Sequence, residues 1–378
     1  MIGPICRCLA LGLVFSLAAA AMAAPAKFLG ANSCASSSCH GGGGANQNQF
    51  LVWSLKDFHS QRPVAMLETA RARQIADAAG IADPMTDERC TTCHEPLRDV
   101  PKSRRGPAFN PVEGVSCESC HSPAGNWVRS HTRTDYTRAD RTAAGMRDLE
   151  NLYVRANTCV ACHQVVSPAL LRAGHPELMF ELDGQCVAEP KHWSAAKNGN
   201  GTQAWFVGQA VALREMSWEL SRQSPPDQNE IARWRALAWL MRRAAAADPP
   251  LPAPPKSDQA ANADIYNLMQ AWADRVARTA AARTWTPALS HAELAALAAA
   301  SADFRGPAPQ PLQARRAGRL VLALDRLLPQ EKKFAPGDAC DKDLNRLFAL
   351  AQSVPDFDPA QFARALDEFR KGINRMTR

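Results

Sequence analysis

Three pentapeptides constrain this chain more than any other feature: Cys90-Thr91-Thr92-Cys93-His94, Cys117-Glu118-Ser119-Cys120-His121 and Cys159-Val160-Ala161-Cys162-His163. Each reads C-x-x-C-H, the attachment pattern for c-type haem. The spacing has a chemical reason. Two thiols must reach two vinyl groups of one porphyrin, and the next residue must present an imidazole to the iron. On a helical turn, residues three and four apart share a face, so Cys, Cys and His point at one macrocycle. A zinc ribbon or a disulfide framework would also use paired cysteines. Neither requires a histidine directly after the second cysteine, and here it follows in all three.

A fourth, looser version lies upstream. Cys34-Ala35-Ser36-Ser37-Ser38-Cys39-His40 is C-x4-C-H and runs into four glycines, Gly41 to Gly44. Small Ala and Ser residues let the two extra positions bulge outward while both thiols meet one ring, so we read a fourth haem site; a Cys34–Cys39 disulfide is the competing reading. The expected cofactors are therefore four covalently bound haem c, held by Cys34, Cys39, Cys90, Cys93, Cys117, Cys120, Cys159 and Cys162.

Residues 1 to 23 have the form of an export signal: Arg7, an apolar run from Leu9 to Ala21, and Ala21-Met22-Ala23 as a cleavage site. Periplasmic localisation is expected, where c-type haem is attached. Loss of this segment would remove Cys6 and Cys8, leaving Cys186 and Cys340 as the two thiols outside the motifs. In an oxidising compartment a Cys186–Cys340 disulfide is one expectation. The formal charge of +7 is spread along the chain without a dense Lys/Arg block, and haem propionates alter the sum. That argues against a nucleic-acid partner.

The motifs set the proximal iron ligands as His40, His94, His121 and His163. Of the nine histidines in the chain, five remain, and four lie close to the motifs: His59, His131, His175 and His192. These are the candidate distal ligands. His291 is set aside, because we read Ser290 to Glu293 as a capping box at a helix start. Methionine is the alternative sixth ligand; Met66, Met146 and Met179 are near enough but are placed by no motif, and we read them as core.

The expected fold is mainly α. A haem-packed tetrahaem domain occupies residues 24–201, and an α-helical domain occupies 202–378 with a Pro-rich linker at 248–255. In the first, the macrocycles replace much of the apolar interior, with Trp53, Trp127 and Trp193 as packing partners. Pro63 opens a helix expected to run to Ala79, and Glu95 to Gly114 reads as a surface loop. In the second, apolar stripes recur at helical spacing: Phe206, Ala210, Leu213, Met216; Ile231, Trp234, Leu237, Met241; Ile265, Leu268, Trp272, Val276. Leu320, Leu324 and Leu327, then Leu344, Leu347 and Ala351, continue the pattern. Asp358-Pro359 caps a last helix through Phe362, Leu366 and Phe369.

The order of motifs and histidines across residues 28 to 195 resembles the multihaem cytochromes related to the tetrahaem carrier that accepts electrons from hydroxylamine oxidoreductase. The resemblance implies a mainly helical domain with stacked and perpendicular haem pairs. It implies His59 as distal ligand to the haem of Cys117–Cys120, His131 to that of Cys159–Cys162, and His175 to that of Cys34–Cys39. It also implies no distal protein ligand at the haem of Cys90–Cys93, a place for which His192 is a candidate.

These readings favour an electron-transfer protein over a catalytic oxidoreductase. Its partners would be redox proteins, among them a membrane-associated respiratory complex. Two rivals stand beside it: an enzyme acting on a small nitrogen or sulfur compound at a five-coordinate haem, and a haem-bearing subunit of a respiratory assembly. No catalytic residue is assigned.

Overall fold

The structure is a computed structural model that describes residues 25–44, 47–60, 62–193, 201–247, 251–255 and 261–376. The export-signal expectation, Cys6, Cys8 and residues 248–250 of the linker lie outside the described residues.

The first half is built from short helices: α1 (Gln49–Lys56), α2 (Arg62–Leu67), α3 (Ala70–Ala78), α4 (Glu88–His94), α5 (Cys117–His121), α6 (Arg138–Ala143), α7 (Leu152–His163), α8 (Pro168–Arg172) and α9 (Leu182–Ala188). Among the described residues there is no strand, only a lone parallel bridge between Phe28 and Arg105. The helix expected from Pro63 to Ala79 is two helices. The Thr69 side chain accepts the Ala72 N–H and starts α3 afresh, since a threonine hydroxyl caps a helix better than it sits inside one.

Side chains tie the irregular segments where regular structure is missing. Glu118 accepts N–H groups from Leu29 (2.8 Å), Gly30 (2.7 Å) and Ala124 (2.6 Å). Arg104 donates to the Ala26 carbonyl, and Arg105 to those of Val100 and Arg98. The Glu95–Gly114 segment is thus a clamped loop. Such anchoring satisfies buried backbone groups that no ladder serves.

The second half is helical throughout: α10 (Gly201–Arg222), α11 (Gln228–Ala246), α12 (Ala263–Ala282), α13 (Pro287–Ala298), α14 (Gln310–Leu327), α15 (Ala339–Ala351) and α16 (Pro359–Met376). α10 lies at its centre, packed on α11 and α12 and also on α7 and α9. One buried cluster runs from Ala156 and Val160 on α7, through Phe180 and Leu182, to Trp205, Trp234, Trp272 and Phe369. The core therefore crosses position 201. Gln164, the residue after His163, accepts the Phe180 N–H, and the Phe180 carbonyl accepts from Gln209 on α10. Tyr153 on α7 donates to Asp274 on α12, which Arg214 on α10 also bonds.

Several expectations are corrected here. The third stripe is Tyr266, Met269, Trp272 and Val276; Leu268 is 56% exposed, because the buried face lies one residue further on. Thr286 caps α13 with Pro287 in its first turn, so Ser290 is an interior residue whose hydroxyl accepts from the Trp285 indole. Leu251 of the Pro-rich segment is buried, and the Pro252 carbonyl accepts the Trp272 indole N–H, so that stretch packs on α12. Asp358 caps α16 as expected. Met66 and Met179 are 60% and 40% exposed and are not core, since their neighbours Leu67 and Phe180 take the inward positions. Cys186 on α9 and Cys340 on α15 are separate free thiols, Cys340 packing against Gly372.

Candidate haem-binding site

Each C-x-x-C-H pentad ends a helix, with His94, His121 and His163 as the last residues of α4, α5 and α7. An N-cap upstream sets the phase: Asp87 accepts the Arg89 N–H, and Asn151 those of Tyr153 and Val154. The first motif is different. Cys34 closes a 3-10 turn, and the chain then folds back so that His40 N–H bonds the Cys34 carbonyl. A Cβ at Gly41 would stand 1.9 Å from the Ala35 carbonyl oxygen, so glycine is required there. The two extra residues are accommodated as a tight loop.

The motifs neighbour one another in a definite order. The Cys34 and Cys117 thiols are within hydrogen-bonding reach, as are those of Cys93 and Cys162. Cys120 and Cys159 are close enough to interact electrostatically. First and third motifs are thus neighbours, then third and fourth, then fourth and second.

All four proximal and four distal candidate histidines are half-buried, and they are brought together in pairs. The His40 and His131 rings are stacked at 6.1 Å between centroids, and those of His59 and His163 are perpendicular at 6.0 Å. Two imidazoles on opposite sides of one metal stand about 6 Å apart, from two metal–nitrogen bonds of about 2 Å and two ring radii. His175 is near enough to His94 to lower its basicity electrostatically, and His192, His40 and His131 act in the same way on His121. Burial pushes His94 below the usual imidazole range and His121 down to about 4, with the neighbouring histidine as a further cause. Two motif histidines, His40 and His163, thus have a ring partner, and the other two have candidate distal histidines in their electrostatic neighbourhood. The two ring contacts differ from the matching the resemblance implies: His59 meets the histidine of the fourth motif and His131 that of the first.

The outer nitrogens test whether these residues fit a porphyrin iron. Nδ1 of His94 donates to the Pro63 carbonyl (2.8 Å), of His175 to that of Pro176 (2.9 Å), and of His131 to that of Trp127 (3.3 Å). His40 bonds the Gln49 side-chain oxygen and His59 the Asp57 carboxylate. His192 Nδ1 faces the Pro190 carbonyl at 3.5 Å. A carbonyl only accepts, so Nδ1 carries the hydrogen and Nε2 keeps its lone pair, as in metal-binding imidazoles. His121 Nδ1 is buried without a partner. The residues fit. His291 serves as a contrast: its Nδ1 pairs with Glu331 within the helical half.

Holding the distal histidines takes further residues. Gly114, at φ +74°, would clash through a Cβ with the Ser60 carbonyl at 1.7 Å; this close approach lets Val115 N–H bond the His59 carbonyl. Trp53 donates to the Val115 carbonyl, Trp127 stands edge-on to His131, and Trp193 edge-on to His192. Of the tryptophans expected to pack there, Trp127 and Trp193 do so beside imidazoles. Sequence reasoning missed Asp57, Glu189 and Glu118. Ligand atoms of Asp57, Glu189 and His192 lie within 4.8 Å of one another, so two carboxylates serve two distal histidines. Only the D-x-H spacing of Asp57 and His59 was a usable signal.

A carboxylate on Nδ1 raises imidazole basicity, and the Asp57 hydrogen bond raises that of His59. Asp57→Asn is expected to raise one reduction potential by tens of millivolts, at about 60 mV per tenfold change in relative affinity for the two iron states. Spectroelectrochemical titration checks this; four unchanged potentials would refute it.

Thioether-forming cysteine pairs with adjoining imidazoles are the donor set of a c-type cytochrome. Residues 33–122 match the family model described as cytochrome c554 and c-prime, which supports that class, with covalently bound haem c, redox protein partners and a role in electron transfer. The matched stretch contains the first three motifs, and the fourth lies beyond it. No curated protein and no solved structure matches the chain.

Proposed function

We propose that this chain is an exported, periplasmic tetrahaem c-type cytochrome that passes electrons between redox partners through four bis-histidine haems. The observation that carries the proposal is the ring contact of two motif histidines with two histidines from elsewhere in the chain, His40 with His131 at 6.1 Å and His163 with His59 at 6.0 Å. Haem supplies a one-electron iron couple, with potentials set by axial ligand, hydrogen bonding and burial. The chain supplies everything else. It holds imidazoles through Nδ1 contacts that leave Nε2 free, as at His94, His131 and His175, and it sets the motifs as neighbours in the order first, third, fourth, second. Close spacing along that order permits transfer without movement of the protein. The N-terminal run with its A-x-A site supports export.

The enzymatic alternative needs an iron with an open face. His94 was the position for it, and His175 beside His94 counts against it. Fully low-spin haem that ignores carbon monoxide on reduction is the expected result; one high-spin, carbon monoxide-binding haem would favour the enzyme.

Intact-mass measurement of the secreted protein tests the count. Four added haems are expected, and three for a Cys34→Ser/Cys39→Ser variant. An unmodified mass would end the proposal, and three on the parent protein would remove the C-x4-C-H site.

A further inference from the structure

A cavity of about 270 Å³ lies where α11, α14 and α15 meet the segment after His175. Arg233 comes from α11, Arg315 and Arg319 from α14, and Glu177 from that segment. Arg319 is only 7% exposed, and its Nη1 has no hydrogen-bond partner. Arg233 and Glu177 are already engaged. Arg233 pairs through Nε with Glu177 at 2.8 Å and donates from Nη2 to the Leu178 carbonyl. Glu177 is the one carboxylate among the lining residues, against three guanidinium groups, and Glu181, engaged with Arg326, adds to it from outside the lining.

A buried charge without a counter-charge is costly, and an unpaired donor adds to the cost. Burial, with Arg233 as a further cause, pushes Arg319 down to about 10, well below the arginine range. Like charges are held together here although nothing in the packing of α14 demands it. A leucine or methionine would fill the Arg319 position on an apolar helix face. Much of the remaining lining is apolar: Ala236, Val321, Leu322, Phe348 and Ala351. A hydrated inorganic ion would leave that lining unmatched, and a neutral apolar molecule would leave Arg319 unpaired. The volume is small, room for about nine waters at bulk density.

We propose that this cavity binds a small organic carboxylate, its head on Arg319 and Arg315 and its apolar body against Leu322, Phe348 and Ala351. A carboxylate offers two acceptors to a guanidinium fork, and one more negative charge brings the cluster closer to balance. Glu177 and Met179 follow His175 by two and four residues, so the site adjoins the redox half while using none of its ligands. It stands whether or not the haem assignments hold.

Calorimetric titration of the holoprotein with benzoate, benzamide and inorganic phosphate tests the proposal. Saturable benzoate binding is expected, at least tenfold tighter than benzamide and than phosphate. Arg319→Met removes the buried head contact but endangers folding. Arg315→Gln, at a half-buried position, is the safer variant and is expected to weaken benzoate at least tenfold with haem spectra unchanged. Absence of benzoate binding overturns the proposal, as does equal affinity for benzamide. Benzoate affinity unchanged in Arg315→Gln overturns it too. Phosphate binding as tightly as benzoate overturns the organic-acid assignment.

Discussion

Replacing His131 with glycine is expected to turn one low-spin haem into a high-spin, carbon monoxide-binding one, with one equivalent of the gas taken up per reduced chain. His131 is the only histidine whose ring stacks on that of His40, with 17° between planes and 6.1 Å between centroids. Removing a distal imidazole opens one coordination position and nothing else, since the proximal ligand and two thioethers remain. The haem affected is identified by a second change. With Cys34→Ser and Cys39→Ser added, the first haem cannot attach, and the carbon monoxide equivalent is expected to vanish with it. If the triple variant still binds the gas, His131 serves another haem. The family-based matching, which gave His131 to the fourth motif, would then regain ground.

Glu118→Ala is expected to cost about 4 kcal/mol of stability, from three charge-assisted backbone hydrogen bonds of roughly 1.5–3 kcal/mol each that do not add fully. The carboxylate is 3% exposed and holds Leu29, Gly30 and Ala124 at once. It occupies a variable position of the third pentad, so one side chain fastens the N-terminal strap and the turn toward His131 to a haem-bearing helix. Deleting it strands three amides. Glu118→Gln keeps one acceptor oxygen and should lose less. Denaturant unfolding of the holoprotein checks both variants; an alanine variant within 1 kcal/mol of the parent, an ordinary surface effect, would show that water replaces the carboxylate.

The candidate thiols and proximal histidines were named from sequence because covalent attachment imposes a local spacing that chance seldom imitates. The distal histidines could be named from their scarcity and closeness to the motifs, but not matched to irons. Matching is a matter of tertiary approach: His59 reaches His163 across a hundred residues of chain, and no local pattern encodes that. The same holds for Glu118 and Asp57, whose partners are backbone amides and an imidazole chosen by folding. In the helical half, strong stripes on α10, α11 and α16 were readable. The α12 stripe was misphased because Ile265 and Leu268 imitate a buried face that Tyr266 and Met269 provide. The capping box at Ser290 failed for a related reason: Thr286-Pro287 offers a better start four residues earlier, and local motifs compete.

The α7 helix serves two interiors. Its C-terminal end carries Cys159, Cys162 and His163, while Ala156 and Val160 are buried with α10 and Cys159 itself packs against that core. If haem joins the fourth thiol pair, attachment is therefore expected to be easiest while the nascent chain is still open, before α10 docks on α7. Docking too early would leave a polypeptide folded around a missing prosthetic group, which makes the rate of helical collapse a control on how completely the protein is loaded.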